Sequence, residues 1–150
     1  MTALRGLPLD ELVAVLVSEH LRMKDGLSKA LGKITAGDYT GAREALTEVD
    51  STFKQHIADE EGQILKLLIG VYGKKEAEDA IEVFRQHRPI YTLMKAVESL
   101  SRLPSEELSS RGDELGRLLV DHTLAEERRV FPRALAAKGT RAGAPDSSPL

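Results

Sequence analysis

Six residues in this chain have side chains that could bind metal, and their spacing follows helical turns. The four histidines fall one to each of four predicted helices, and each lies on the apolar stripe of its helix, where side chains should face the core. Two of them are followed one turn later by a glutamate, since residues four apart lie on the same helix face. The set is His20, His56, Glu60, His87, His122 and Glu126.

Burial of these groups needs a chemical reason. An unpaired carboxylate in an apolar core costs several kcal/mol, which is a large part of the roughly 5–15 kcal/mol that stabilises a domain. Coordination to a divalent cation removes that cost. Imidazole and carboxylate ligands together suit iron, manganese or zinc. The chain has no cysteine, which excludes thiolate sites, iron–sulfur clusters and disulfides.

The alternative for any one of these histidines is an ordinary buried side chain with a hydrogen-bond partner. Four out of four, one per helix and with two matched glutamates, favour the metal site. Glu19, Glu61 and Glu127 each neighbour a predicted ligand in the sequence. We expect them to support the ligands or to lie at the surface, with Glu61 the foremost candidate for a larger role.

The elements that must position these residues are four long amphipathic helices. Apolar residues recur at helical spacing through four segments, at about 10–37, 40–71, 74–103 and 105–137. Asp10 and Ser105 are predicted N-caps, and Pro104 ends the third helix. Helices of similar length with short loops predict an all-α, up-down-up-down four-helix bundle. At about 1.5 Å per residue, the six side chains then fall within one slab less than about 10 Å thick.

Two prolines interrupt the helical pattern. Pro89 lies within the third helix, two residues after His87, and predicts a distortion close to the site. Pro132 follows Phe131 near the predicted end of the fourth helix, where it should cost little. We assign residues 1–137 to the bundle and 138–150, rich in Gly, Ala, Ser and Pro, to a disordered tail.

The bulk composition excludes several classes of function. A net charge of −3 gives no electrostatic reason to expect nucleic acid as a partner. No apolar run approaches the roughly 20 residues that would span a bilayer, so no membrane partner is expected. The N-terminus lacks the pattern of a signal peptide, and the cytoplasm is the expected compartment. The oligomeric state is left open.

Four stretches of the chain resemble the hemerythrin-like, HHE cation-binding family. They are "SEHLRM" around His20, "KQHIADEE" around His56, "QHRPI" around His87 and "DHTLAEERRVFP" from His122. The resemblance covers roughly residues 8 to 137. It implies a four-helix bundle around two non-haem iron ions, with the six residues as ligands and with Glu60 and Glu126 as the bridging carboxylates.

The chain departs from the oxygen-carrying members of that family in two places. Those proteins have a His-x-x-x-His pair on the third helix, where this chain has Tyr91 four residues after His87. They end with His-x-x-x-x-Asp, where this chain has His122-x-x-x-Glu126. Reversible oxygen carriage is therefore in question, and one iron has either an open position or a phenolate from Tyr91, a possible catalytic residue.

Three functions remain in competition at this point. The first is a protein that binds O2 or NO without turnover, and the second is an enzyme that removes peroxide or NO at an open metal position. The third is iron storage or repair of iron centres. The repair branch of the family typically has an additional N-terminal domain with cysteines. The sequence shows neither, so a repair function is less expected here.

Overall fold

The computed structural model describes the backbone of residues 3–143 and the side chains of residues 3–138. The described residues form helices and no β-strand. In order these are α1 (Leu9–Thr35), α2 (Tyr39–Asp59), α3 (Leu65–Tyr72), α4 (Glu78–Arg85), α5 (His87–Leu100), α6 (Glu106–Ala125) and α7 (Phe131–Gly143). A first π-turn, Glu60–Ile64, joins α2 to α3, and a second π-turn, Glu126–Val130, joins α6 to α7.

These segments make up the predicted all-α four-helix bundle, which the structure confirms. The second bundle helix is α2 with α3, the third is α4 with α5, and the fourth is α6 with α7. The first bundle helix, α1, packs against α2 and α6, and α5 packs against the same two helices from the other side. None of the helices among the described residues is long and apolar enough to cross a lipid bilayer.

The helix ends follow local sequence signals, with one exception. Ser105 caps α6 as predicted, accepting a hydrogen bond from the Leu108 N–H at 3.0 Å. Asp38 caps α2 in the same way through Gly41. Gly37 has a φ of +83°, a conformation that glycine adopts freely where α1 ends. The prediction of Asp10 as an N-cap is wrong, because α1 begins at Leu9 after Pro8, whose fixed φ already suits a helix start.

The fourth bundle helix is longer than predicted. Its last segment continues to Gly143, so the backbone of residues 138–143, assigned from the sequence to the tail, is helical. Ala134 and Ala137, earlier in the same segment, are fully buried, and alanine is the best helix former. Residues 144–150 of the predicted tail lie outside the described part of the chain.

Pro89 breaks the third bundle helix one turn before itself. A proline has no N–H to donate to the carbonyl four residues earlier, which here belongs to Arg85. The helix is interrupted at that point, since α4 ends at Arg85 and α5 begins at His87. The predicted distortion near the site is confirmed, and it leaves Gln86 between the two segments.

Two apolar clusters fill the bundle, and the candidate ligands lie between them. One cluster contains Leu16 of α1 with Ile64, Phe84 and Val130. The other contains Met23 of α1, one turn beyond His20, and Leu119 of α6, one turn before His122. The polar layer is thus closed on both sides by apolar side chains.

Candidate metal centre

The structure brings all six predicted ligands together in the middle of the bundle. Their exposed fractions run from 0% to 4%, so every one is buried. They form two overlapping groups whose candidate ligand atoms lie within 4.8 Å of one another. We call His20 with His56 the His20 half, and His87 with His122 the His87 half. The two glutamates, Glu60 and Glu126, belong to both groups.

Each glutamate reaches both halves with its two oxygens. In Glu60, Oε2 lies 3.0 Å from His56 Nε2 and Oε1 lies 2.8 Å from His87 Nε2. In Glu126, Oε1 lies 2.8 Å from His20 Nε2 and Oε2 lies 2.9 Å from His122 Nε2. Four imidazole nitrogens and four carboxylate oxygens therefore converge, with the two carboxylates in the position of bridges.

The six side chains do not satisfy all of their own hydrogen-bonding atoms, and a bound cation would do so better. His122 Nε2 and Glu60 Oε2 are buried without a hydrogen-bond partner among the described residues, although each has an oppositely polar atom nearby. His20 Nε2 and His56 Nε2 also face each other at 3.1 Å, where both lone pairs cannot stay uncompensated. Buried polar atoms without partners are costly, and a divalent cation in each of the two groups would compensate them. These buried His and Glu groups could hold a metal ion.

A hydrogen bond behind each imidazole fixes the orientation of its ring. Each Nδ1–H donates to an acceptor outside the ligand layer, and the four distances lie between 2.6 and 3.0 Å. In chain order the pairs are His20 with Glu127, His56 with Glu19, His87 with Glu61 and His122 with Gln86. A proton held on Nδ1 leaves the Nε2 lone pair for a metal, and metal-binding histidines nearly always have such a partner. The expected support from Glu19, Glu61 and Glu127 is confirmed.

Two of the supporting residues escaped the sequence analysis. Gln86 directly precedes His87, and only that adjacency could have drawn attention to it. Arg5 lies before the first helix and carries no local signal. Its guanidinium donates to both oxygens of Glu19 at 2.8 and 2.9 Å and to Asp59 at 2.6 Å. The N-terminal segment is thereby tied to the support of His56.

The two π-turns keep the fourth-residue spacing of the ligands directed inward. Buried residues recur at His56, Glu60, Ile64 and Leu68. In an α-helix of 3.6 residues per turn, each four-residue step overshoots by about 40°, so three steps would turn Leu68 well away from the core. The wider π-turn absorbs the extra residue, with the Leu65 N–H bonded to the Glu60 carbonyl.

The second π-turn repeats this arrangement at Glu126, whose carbonyl accepts from the Phe131 N–H. Pro132, which was expected close to a helix end, follows this turn instead. It stands in the first turn of α7, where its missing N–H is tolerated.

Hydrogen bonds within the cluster shift the pKa values of His87 and Glu126 in opposite directions. Burial alone would lower the pKa of His87, but hydrogen bonds to Glu126, Glu60 and Glu61 raise it to about 11. Burial likewise opposes the charged form of Glu126, yet hydrogen bonds from His122 and the other imidazoles hold its pKa well below the usual range. Glu126 is therefore ionised and His87 carries a second ring proton, which an incoming cation would replace.

Tyr91 has different neighbours from those expected of a ligand. Its ring is half-buried and packs against the apolar cluster that contains Met23 and Leu119. The ammonium groups of Lys54 and Lys95 lie 5.8 and 5.4 Å from its centre. Lys54 is exposed and Lys95 is half-buried, so the ring borders the surface between α2 and α5. These contacts favour a packing role over coordination.

In comparisons with protein-family models, curated proteins and solved structures, nothing matches this chain. The geometry of the six buried residues is therefore what indicates the function of this chain.

Proposed function

We propose that this chain is a hemerythrin-like protein that holds two iron ions and binds or reacts with a small oxygen or nitrogen species such as O2, NO or H2O2. The observation that supports it best is the pairing of two His₂ halves across two shared glutamates. Shared carboxylates of this kind suit a pair of metal ions about 3.5–4 Å apart. Iron bound there would supply a redox-active Lewis acid.

The chain's own residues would do four things for such a centre. The four Nε2 atoms and four carboxylate oxygens bind the ions, and the acceptors behind Nδ1 orient the rings. The two apolar clusters exclude water from the layer. Phe131 and Phe84 stack on the rings of His20 and His87, at centroid distances of 5.6 and 5.2 Å. These contacts hold both halves rigid on either side of the shared carboxylates.

Burial limits what could react there. The six ligands are at most 4% exposed and are covered on both sides by apolar residues, so a large substrate has no route to them. A molecule of two to four atoms would need only a small opening of the bundle to enter. Each ion would have two imidazoles and two carboxylate oxygens from the protein, which leaves coordination positions for such a molecule.

The alternative is a catalase- or peroxidase-like or NO-detoxifying enzyme built on the same centre. Its support is the same low number of protein donors per ion, because an open metal position is the structural condition for turnover. Iron storage or repair of iron centres is less well supported, since the ligands form one closed layer and not a cavity.

One set of measurements separates these functions. Protein purified without oxygen is analysed for metal and then mixed in turn with O2, NO and H2O2, while optical spectra and reagent consumption are followed. Two iron ions per chain and a stoichiometric spectral change are expected of a binding protein, whereas repeated consumption of reagent identifies an enzyme. One tightly bound metal or none, after expression in iron-rich medium, would contradict the di-iron proposal.

A further inference from the structure

The two halves of the ligand layer differ in the acceptors behind their imidazoles. In the His20 half, both Nδ1–H groups donate to carboxylates, those of Glu127 and Glu19. In the His87 half, one donates to a carboxylate and the other, on His122, donates to the neutral amide oxygen of Gln86 at 2.8 Å. The inner donors are alike in number and kind, so any difference between the halves comes from these outer partners.

The outer partners also differ in burial and attachment. The Glu19 side chain is 5% exposed and is clamped by two hydrogen bonds from Arg5, which also binds the fully buried Asp59. Arg5, Glu19 and Asp59 together carry one net negative charge. In contrast, the side chain of Glu61 behind His87 is 49% exposed, so solvent screens its charge.

The chemistry of the acceptor sets the donor strength of the imidazole. A carboxylate behind Nδ1 raises the basicity of the ring, and loss of such a partner typically costs about 10–100-fold in metal affinity. An amide oxygen makes a hydrogen bond roughly half as strong as one to a charged acceptor. His122 is therefore the weakest imidazole donor of the four.

Building on the proposed function, we infer that the two ion positions are unequal. The His20 half binds a divalent cation first and more tightly, and the His87 half fills last and exchanges its ion with solution. Gln86 is the positioning residue that sets this order, and Arg5 holds the Glu19 carboxylate in place behind His56. The expected difference between the two dissociation constants is about tenfold or more, by the size of such outer-partner effects.

The location of Gln86 makes the inference testable by a minimal change. The residue lies in the break between α4 and α5 and is exposed, so Gln86→Glu replaces the amide by a carboxylate of the same shape without disturbing packing. Glu127 is the matched partner in the other half, since its side chain is 35% exposed and Glu127→Gln makes the reverse change behind His20.

The experiment titrates the full chain, stripped of metal, with Zn²⁺ in competition with a chromophoric chelator. The parent should show two steps that differ by about tenfold or more. Gln86→Glu should tighten the second step by about tenfold and leave the first unchanged, whereas Glu127→Gln should loosen the first. His122→Ala should retain one ion at the affinity of the parent's first step, and His56→Ala should retain only a weakly bound ion.

The possible failures are distinguishable. Two ions bound with equal affinity, or a Gln86→Glu effect confined to the tighter step, would overturn the inequality and leave the two-metal proposal standing. A tight ion that survives in His56→Ala but not in His122→Ala would reverse the order. Binding of no ion by the parent would overturn the proposed function and this inference together.

Discussion

Replacement of Glu126 by glutamine tests the shared role of the glutamates most directly. Through its two oxygens, Glu126 lies within 3.6 Å of an imidazole nitrogen of each of the four histidines. An amide in its place has one acceptor oxygen and no charge, so it cannot serve both halves. Glu126→Gln should therefore lose both ions, whereas His122→Ala should lose only one.

The size of the effect on stability follows from linkage. An ion present at about 100 times its dissociation constant stabilises the fold by about 2.7 kcal/mol, so two ions contribute about 5 kcal/mol. For a chain of this length, 1 kcal/mol shifts the melting temperature by about 2–4 °C. Chelation should lower the melting temperature of the parent by about 10–20 °C, that of His122→Ala by about half as much, and that of Glu126→Gln hardly at all.

The assay compares each variant with and without chelator, so that any change in the metal-free fold cancels. Metal content is measured on the same samples by mass spectrometry. Glu78→Gln, on an exposed face of α4, is the matched control and should behave as the parent. Equal loss of metal in Glu126→Gln and His122→Ala, or an unchanged melt of the parent on chelation, would refute the reasoning.

Three further results are expected. Tyr91→Phe should leave iron content, optical spectrum and peroxide consumption as in the parent, because the ring packs beside lysines; loss of a visible charge-transfer band would restore Tyr91 as a ligand. Metal binding should release protons and become tighter as pH rises from 6 to 9, because the raised pKa of His87, about 11, keeps the ring protonated until a cation displaces the proton. Calorimetry in buffers of different ionisation enthalpy measures the number of protons released. A binding enthalpy that does not depend on the buffer would contradict this prediction. Gly26→Ala should destabilise the fold by about 1–3 kcal/mol because its Cβ would meet the buried Val49 side chain at 2.7 Å. Gly32→Ala, with nothing within 4 Å, should stabilise it by about 0.5–1 kcal/mol, and equal shifts of the two in chemical denaturation would count against the described packing of α1 on α2.

Helical periodicity was sufficient to predict the four helices and the six inward residues. The stripe on each helix is a local property of the sequence, and the heights of His20, His56, His87 and His122 follow from the rise per residue. The break in the third bundle helix could also be predicted, because the missing N–H of Pro89 removes a hydrogen bond to a carbonyl one turn earlier.

What could not be predicted depends on contacts between distant residues. Arg5 meets Asp59 across 54 positions, and no periodicity relates them. The π-turns leave only a weak signal in the sequence, the run of four-residue steps from His56 to Leu68. Steps of four residues are also common in ordinary α-helices, so this run does not by itself predict a π-turn. The neighbours of Tyr91 could not be predicted either, because Lys54, which lies over its ring, belongs to another helix.

The two π-turns have a consequence for sequence alignment. Each holds one residue more than the α-turn that it replaces, so a protein with the same ligands on uninterrupted helices would be one residue shorter within 60–64 and again within 126–130. An ungapped alignment that matches His56 and Glu60 would shift every later position by one residue, His87 and His122 included, and every position after 126–130 by two. Gaps inside these two helices, which alignment methods ordinarily penalise, are the ones that would restore the correspondence.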